Sequence, residues 1–382
     1  MKELSDSRVL IVDDVKANVD VLVQALSGDY KLSVALGGQQ ALDAVRRNPP
    51  DLVLLDIVMP DIDGYEICRR LRAAEATREL PIMFLSSLED VSDKTRGFEV
   101  GGNDYLTKPF EILEVKARVR SLLKARAYAE AVKAAAERDL RIAREIQIGL
   151  LPANIPGEIQ GTGLDVYAIL EPARHVGGDL FEVLRLAPDR VLVAMGDVSG
   201  KGIPAALFMA VAMTLLRSLA RQGHSPERIL QQLNDELLQQ NPRGMFVTLQ
   251  ILVFDLAGGS VTCASAGHHG VVRITPGHAP RLTFTTCGRV LGLLPAEEIT
   301  SESLQLQAGD AFVLYTDGVS EAFGPGDELF GEDRLLEHLQ AAPVQSARDT
   351  TLGVLDAVRR HADGVKQSDD ITVLSVRYAG RG

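Results

Sequence analysis

Over the first 120 residues, short continuous apolar runs alternate with longer amphipathic stretches. Arg8-Val9-Leu10-Ile11-Val12, Leu52-Val53-Leu54-Leu55 and Pro81-Ile82-Met83-Phe84-Leu85 each read as a buried strand. Ala17 to Ser27 and Gln39 to Asn48 carry helical spacing between them. Continuous apolar strands separated by helices predict a parallel sheet covered on both faces. In such sheets, chemistry gathers at the carboxyl ends of the strands.

From Glu111 to Leu150 the chain has no proline, one glycine (Gly149) and abundant Ala, Arg, Glu and Lys, which predicts a long helix or helix pair including Ala125 to Ile148. Its apolar positions Val115, Val119, Leu122, Ala129, Ala136, Leu140 and Ala143 follow a loose three/four spacing that Arg126 and Lys133 interrupt, the pattern of a weak coiled coil. The basic residues read as a solvated helix face and not as a nucleic-acid stripe. Leu151-Pro152 ends the helix, because proline cannot continue it and restricts its predecessor.

Beyond residue 160 the texture changes to strands with glycine-rich turns. Val191 to Met195, Thr248 to Phe254, Ala311 to Tyr315 and Ile371 to Val376 read as strands; Ala205 to Arg221, Pro226 to Gln240 and Gln345 to Ala362 read as helices. Strands and helices in blocks predict an α+β layered domain and not a second βαβ array. No internal repeat or low-complexity tract is visible.

Composition narrows the class. The length of 382 residues fits two or three domains, and 46% hydrophobic with 24% charged residues is ordinary for a globular chain. A formal net charge of -12 opposes binding to a nucleic-acid backbone. The N-terminal Met1-Lys2-Glu3-Leu4-Ser5-Asp6 lacks the apolar core of a signal peptide, and Ala205 to Leu216 is short for a bilayer span and reads as a buried helix. Cys68, Cys263 and Cys287 have no C-x-x-C spacing, so neither a disulfide framework nor a zinc knuckle is expected. A cytoplasmic protein without membrane association is the expectation.

Two constellations carry chemistry. In the first, the strand ending at Val12 delivers Asp13-Asp14 and the strand ending at Leu55 delivers Asp56, so adjacent strand ends bring three carboxylates together. Clustered carboxylates repel, and Mg²⁺ is the natural occupant. The third strand delivers Ser86-Ser87, and the next segment delivers Thr107-Lys108-Pro109. A hydroxyl and an ammonium beside such a site suit a phosphoryl group. With Asp56-Ile57-Val58-Met59-Pro60-Asp61-Ile62-Asp63-Gly64 and Asp104-Tyr105-Leu106-Thr107-Lys108-Pro109-Phe110, residues 5–124 resemble a response-regulator receiver domain. That resemblance implies a flavodoxin-like, doubly wound fold of five parallel strands. It also implies Asp56 as phosphoacceptor, Mg²⁺ held by Asp13, Asp14, Asp56 and the Val58 carbonyl, Ser86 and Lys108 as phosphoryl contacts, and Tyr105 as a switch aromatic. Ser86 stands where that family often has threonine.

The second constellation is a set of aspartates beside glycine or another aspartate: Gly177-Gly178-Asp179, Gly196-Asp197-Val198-Ser199-Gly200, Thr316-Asp317-Gly318 and Asp369-Asp370-Ile371-Thr372. Glycines let main-chain carbonyls complete an oxygen shell, and an all-oxygen set suits Mg²⁺ or Mn²⁺ and not zinc. Two such ions about 4 Å apart would acidify a bridging water and neutralise a phosphoryl transition state, leaving no need for a serine, cysteine or histidine nucleophile. Gly196 to Gly202 superficially resembles a phosphate-binding loop but is one residue short and ends in glycine, and there is no G-x-S-x-G elbow. His268-His269 read as part of a turn.

Residues 151–380, led in by Ala143-Arg144-Glu145-Ile146-Gln147 and Leu150-Leu151-Pro152, resemble the SpoIIE-like branch of the metal-dependent serine/threonine phosphatases. The resemblance implies a four-layer α-β-β-α sandwich with Asp179, Asp197, Asp317 and Asp369 as metal-binding catalytic carboxylates and the Val198 carbonyl as a further ligand for two Mn²⁺ or Mg²⁺. Glu182 departs from the aspartate common in the branch. Residues 125–150 would be the helical linker, and a homodimer through it is expected. The expected function is a response regulator whose output is dephosphorylation of a phosphoserine or phosphothreonine protein. By resemblance, a sensor histidine kinase would phosphorylate Asp56 and the substrate would be an anti-sigma-factor antagonist in partner switching. A non-catalytic adaptor that binds a sigma factor or its regulator is the alternative. Direct DNA binding is not expected, since no helix-turn-helix pattern follows the receiver.

Overall fold

The computed structural model describes residues 3–87, 97–285, 288–295, 299–341 and 345–380, so Cys287 lies outside the described residues. The chain forms two compact units, Met1–Arg138 and Asp139–Gly382, and the division falls inside the helix Ile112–Leu150.

The first unit holds strands β1 (Arg8–Val12), β2 (Lys31–Ala35), β3 (Leu52–Asp56), β4 (Ile82–Ser86) and β5 (Asp104–Thr107) in one parallel sheet of order β2-β1-β3-β4-β5. Helices Lys16–Leu26, Gly38–Arg47 and Gly64–Ala73 connect its strands. Successive residues of β1, β3 and β4 enter opposite cores. Leu10, Val12, Val53, Leu55, Ile82 and Phe84 join one; Val9, Ile11, Leu52, Leu54, Met83 and Leu85 join the other. Burial on both faces is why these strands are continuous apolar runs.

The second core also takes Val115, Val119 and Leu123 from the long helix. This corrects the expected coiled-coil seam, whose first two members are receiver core. Arg126 does not interrupt a seam either: its guanidinium donates to the carbonyls of Pro50 and Asp51 and pairs with Glu130.

The second unit holds β6 (Leu164–Glu171), β7 (Leu180–Ala187), β8 (Arg190–Val198), β9 (Val247–Asp255), β10 (Ser260–Ala266), β11 (Val271–Ile274), β12 (Arg281–Thr283), β13 (Ser301–Gln305), β14 (Ala311–Tyr315) and β15 (Ile371–Tyr378). They form two sheets, β13-β10-β9-β8-β7 and β12-β11-β14-β15-β6. Alternation again decides the layers. Val191, Val193, Met195, Leu252 and Phe254 meet Phe312, Leu314, Leu374 and Val376 between the sheets. Leu192, Ala194, Leu249, Ile251 and Val253 face helices Ile203–Ala220 and Pro226–Gln239, while Val313, Tyr315 and Val373 face helices Gly331–Ala341 and Ala347–Ala362. The result is the α-β-β-α sandwich.

By length and composition the helix Ile203–Ala220 is apolar enough to cross a membrane, with mean hydropathy 1.8 over 18 residues. Here Ala205, Met209, Ala212, Met213 and Leu216 are buried against the first sheet and its neighbouring helix.

Candidate functional sites

In the first unit Asp13 follows β1 and Asp56 ends β3, two strands paired side by side. One carboxylate oxygen each from Asp13, Asp14 and Asp56 lies within 4.8 Å of the others. Asp13 is fully buried and accepts from the Val15 amide at 2.9 Å and from Asn18 Nδ2. Lys108, one residue beyond β5, places Nζ 2.7 Å from Asp13 Oδ2 and 2.9 Å from Asp56 Oδ2. Burial raises the Asp56 carboxyl above its ordinary range, the Lys108 hydrogen bond opposes this, and the neighbouring Asp13 charge adds to it. Ser86 ends β4 and is buried, opposite Thr107 in the register of β5. Tyr105 points inward, its ring centroid 5.3 Å from Phe84 and 5.5 Å from Phe98. Val58 follows Asp56 with its side chain exposed. Three convergent carboxylates against one ammonium form an oxygen-donor set that fits a hard divalent cation.

In the second unit the four aspartate motifs come to one place from both sheets. Asp179 precedes β7 and Asp197 lies near the end of β8, in the first sheet; Asp317 follows β14 and Asp369-Asp370 precede β15, in the second. Asp179 is 1% exposed and accepts from Thr316 Oγ1 at 2.8 Å and from Thr372 Oγ1. Burial, then the Asp197 charge, holds the Asp179 carboxyl well above the usual range. Asp197 is pushed up to about 7 by burial and then by Asp317 and Asp369. Asp317 is raised by burial and then by Asp369. Lys201 Nζ sits 2.7 Å from Asp369 Oδ2.

The glycines serve close approach. A Cβ at Gly178 would stand 2.5 Å from the Val198 carbonyl oxygen, and one at Gly318 would stand 1.8 Å from the Asp370 carbonyl oxygen. Among the described residues only the receiver trio brings three carboxylate oxygens within 4.8 Å of one another, so this second set is more widely spaced. Carboxylates that raise one another without enough positive charge between them fit Mg²⁺ or Mn²⁺.

Several residues here have roles that motif reading missed. Thr316 and Thr372 hold Asp179. Asp370 is not aimed as a ligand: it is buried and accepts from the amides of Ala173 and Gly178, both at 2.8 Å. His268 and His269 do follow the turn at Gly267. His268 Nδ1 lies 3.0 Å from Thr248 Oγ1, which receives the Asp197 amide, and burial together with His269 holds His268 down at about 3. For Thr316, Thr372 and Asp370 the signal is a polar residue beside or near a motif aspartate, which cannot be separated from ordinary turn chemistry without the tertiary fold; His268 and Thr248 carry no such signal.

One consequence concerns pH. The raised carboxylates keep protons in the folded, metal-free protein that the unfolded chain has already released above about pH 4. Stability in chelator is therefore present at low pH and falls as pH rises through about 7. Thermal unfolding of the second unit in EDTA should occur several degrees lower at about pH 8 than at about pH 5, and added Mn²⁺ should reverse the loss. Equal midpoints at both pH values would rule out the mutual repulsion.

Comparison with known proteins agrees with this architecture. Residues 187–379 match the family described as Stage II sporulation protein E (SpoIIE), and residues 9–120 match the response regulator receiver domain. Asp197, Asp317 and Asp369 lie inside the first match, and Asp179 lies just ahead of it. Protein IcfG of a Synechocystis strain is 27% identical over 400 residues, covering 96% of this chain and 58% of that protein. Response regulator PleD of Caulobacter vibrioides is 41% identical over 117 residues, covering 30% of this chain and 26% of PleD. The chain thus spans under two thirds of the length of either relative.

Among solved structures, the SiaA-PP2C domain of Pseudomonas aeruginosa superposes with TM-score 0.57 at 22% identity, covering 65% of this chain and 99% of that one, which shows the shared fold. The RsbU and RsbW domains of Rv1364c from Mycobacterium tuberculosis give TM-score 0.50 at 27% identity, covering 57% of this chain and 60% of that one. The chain belongs to the SpoIIE family, with a response-regulator receiver domain fused ahead of its metal-dependent phosphatase domain.

Proposed function

We propose that this chain hydrolyses phosphoserine or phosphothreonine on a protein substrate under control of phosphorylation at Asp56. The observation that carries the reading is the meeting of Asp179, Asp197, Asp317 and Asp369 from two sheets, where burial and neighbouring carboxylates raise Asp179, Asp197 and Asp317. With the Val198 carbonyl they would hold two Mn²⁺ or Mg²⁺, and Asp13, Asp14, Asp56 and the Val58 carbonyl would hold Mg²⁺ in the receiver. When bound, the phosphatase ions supply an acidified water and neutralise phosphoryl oxygens. The chain's own part is orientation. Thr316 and Thr372 fix Asp179, Thr248 supports the Asp197 peptide, and Lys201 brings an ammonium to the rim. In the receiver, Ser86 and Lys108 would contact the phosphoryl group on Asp56, with Tyr105 as the switching ring.

The working division is receiver 5–124, linker 125–150 and phosphatase 151–380. A sensor histidine kinase as phosphodonor and an anti-sigma-factor antagonist as substrate complete the proposal, by family resemblance. A homodimer is supported by apolar side chains left exposed on the helix, Tyr128, Val132, Ile142 and Ile146, whose spacing of four, ten and four fits heptad positions.

The test is phosphate release from phosphoserine proteins with and without Mn²⁺ and with and without beryllofluoride. Release that requires Mn²⁺ and changes several-fold with beryllofluoride is the expected result. Folded protein that releases nothing under any condition, over a panel of phosphoproteins, would favour the non-catalytic adaptor.

A further inference from the structure

Near its end the long helix touches the loop that leads into Asp179 through one buried side chain. Gln147 is 7% exposed, whereas Glu145, Ile146 and Ile148 around it are exposed. Its amide engages both edges of one residue: Nε2 donates to the Gly177 carbonyl at 2.6 Å, and the Gly177 amide donates to Oε1 at 3.2 Å. A primary amide that donates and accepts at the same residue fixes that residue's orientation as well as its position.

The segment it grips is short and held from the opposite side. Gly178 donates its amide to Asp370 Oδ2, and a Cβ on Gly177 would come 1.7 Å from that same oxygen. Asp179 is the next residue. The same helix end is secured once more by Arg217, which donates to the Leu150 carbonyl and pairs with buried Glu182 on β7. Gln147 and Asp370 therefore act as two jaws on Gly177-Gly178, and Asp179 emerges from between them.

We propose that Gln147 is a positioning residue for Asp179: the amide carried by the helix sets the Gly177 peptide, and shifting the helix end loosens the metal site. The inference rests on reading the acidic cluster as a metal site. It gives Glu182 a purpose as well, since a side chain one carbon longer than aspartate turns to Arg217 and ties β7 to the helix end.

The experiment uses full-length protein as wild type, Q147A, Q147E, D197N and E145A. Glutamate at 147 keeps the size and the acceptor but cannot donate to the Gly177 carbonyl. Mn²⁺ binding is followed by electron paramagnetic resonance, with D197N giving the baseline left by the receiver. Amide hydrogen exchange of residues 172–182 is followed in chelator. Both Gln147 variants should bind Mn²⁺ about 10- to 100-fold more weakly, the range seen when groups that orient metal ligands are removed. Their 172–182 segment should exchange faster, phosphate release should recover at saturating Mn²⁺, and E145A should match wild type. Wild-type affinity in Q147E, or a faster-exchanging loop with unchanged affinity, would overturn the role of Gln147. Wild type binding no more Mn²⁺ than D197N would instead remove the metal-site reading beneath it.

Discussion

Asparagine in place of Asp197 is expected to cut Mn²⁺-dependent phosphate release by at least about 100-fold while leaving the protein folded. Asp197 feels the charges of Asp317 and Asp369 and itself raises Asp179; burial and those two charges push its own carboxyl up to about 7. Asparagine keeps the size and one oxygen but removes the negative charge that a divalent cation needs. The same loss of charge relieves repulsion in metal-free protein. The variant should therefore melt no lower than wild type in EDTA near neutral pH, and its pH slope should be shallower. Colorimetric phosphate assay and calorimetry on the same preparation separate the two effects. Full activity in the folded variant would remove Asp197 from the chemistry.

Asp56→Asn should abolish acid-labile phosphate incorporation from a kinase or a small acyl phosphate, and with it the beryllofluoride-dependent change in phosphatase output. Asp56 is buried at the end of β3, where Lys108 and the Ile57 amide offset the effects of burial and of the Asp13 charge. Asp13 cannot take its place in that geometry, being fully buried and engaged by Lys108, Val15 and Asn18. Radiolabel retained by the variant at wild-type level would move the phosphoacceptor elsewhere. A beryllofluoride response that survives the substitution would break the proposed link between receiver and catalysis.

What the sequence revealed follows from where each strand sits. β1, β3 and β4, and then β8, β9, β14 and β15, are interior members of their sheets with both faces covered, so they stand out as apolar runs. The strands that escaped notice are mostly edges or short pieces. β2 is an edge strand with one fully buried residue, β13 reads Ser-Glu-Ser-Leu-Gln with alternate residues facing out, and β5 has four residues. β7 was obscured by Glu182, whose burial depends on Arg217 from a helix distant in sequence. Asp179, Asp197 and Asp317 are legible because close backbone approach requires the glycines beside them, and Asp369 because it stands beside a second aspartate. Gln147, Thr316 and Thr372 were in view but without a role, since each acts on a residue brought near only by folding. The seam on the long helix was misplaced for a similar reason. Val115 and Val119 have the spacing of a coiled coil but are consumed by the receiver core.

Asp179 opens a strand of one sheet, yet the two hydroxyls that hold it come from strand ends of the other. Neither sheet, folded alone, owns a finished binding site. On the proposed reading, a refolding chain with both sheets formed but not yet stacked would show native-like secondary structure and only the Mn²⁺ affinity of the receiver trio. Recovery of Mn²⁺ binding thus times the docking of the two halves, separately from the appearance of strands, and gives this domain a built-in clock for its last folding step.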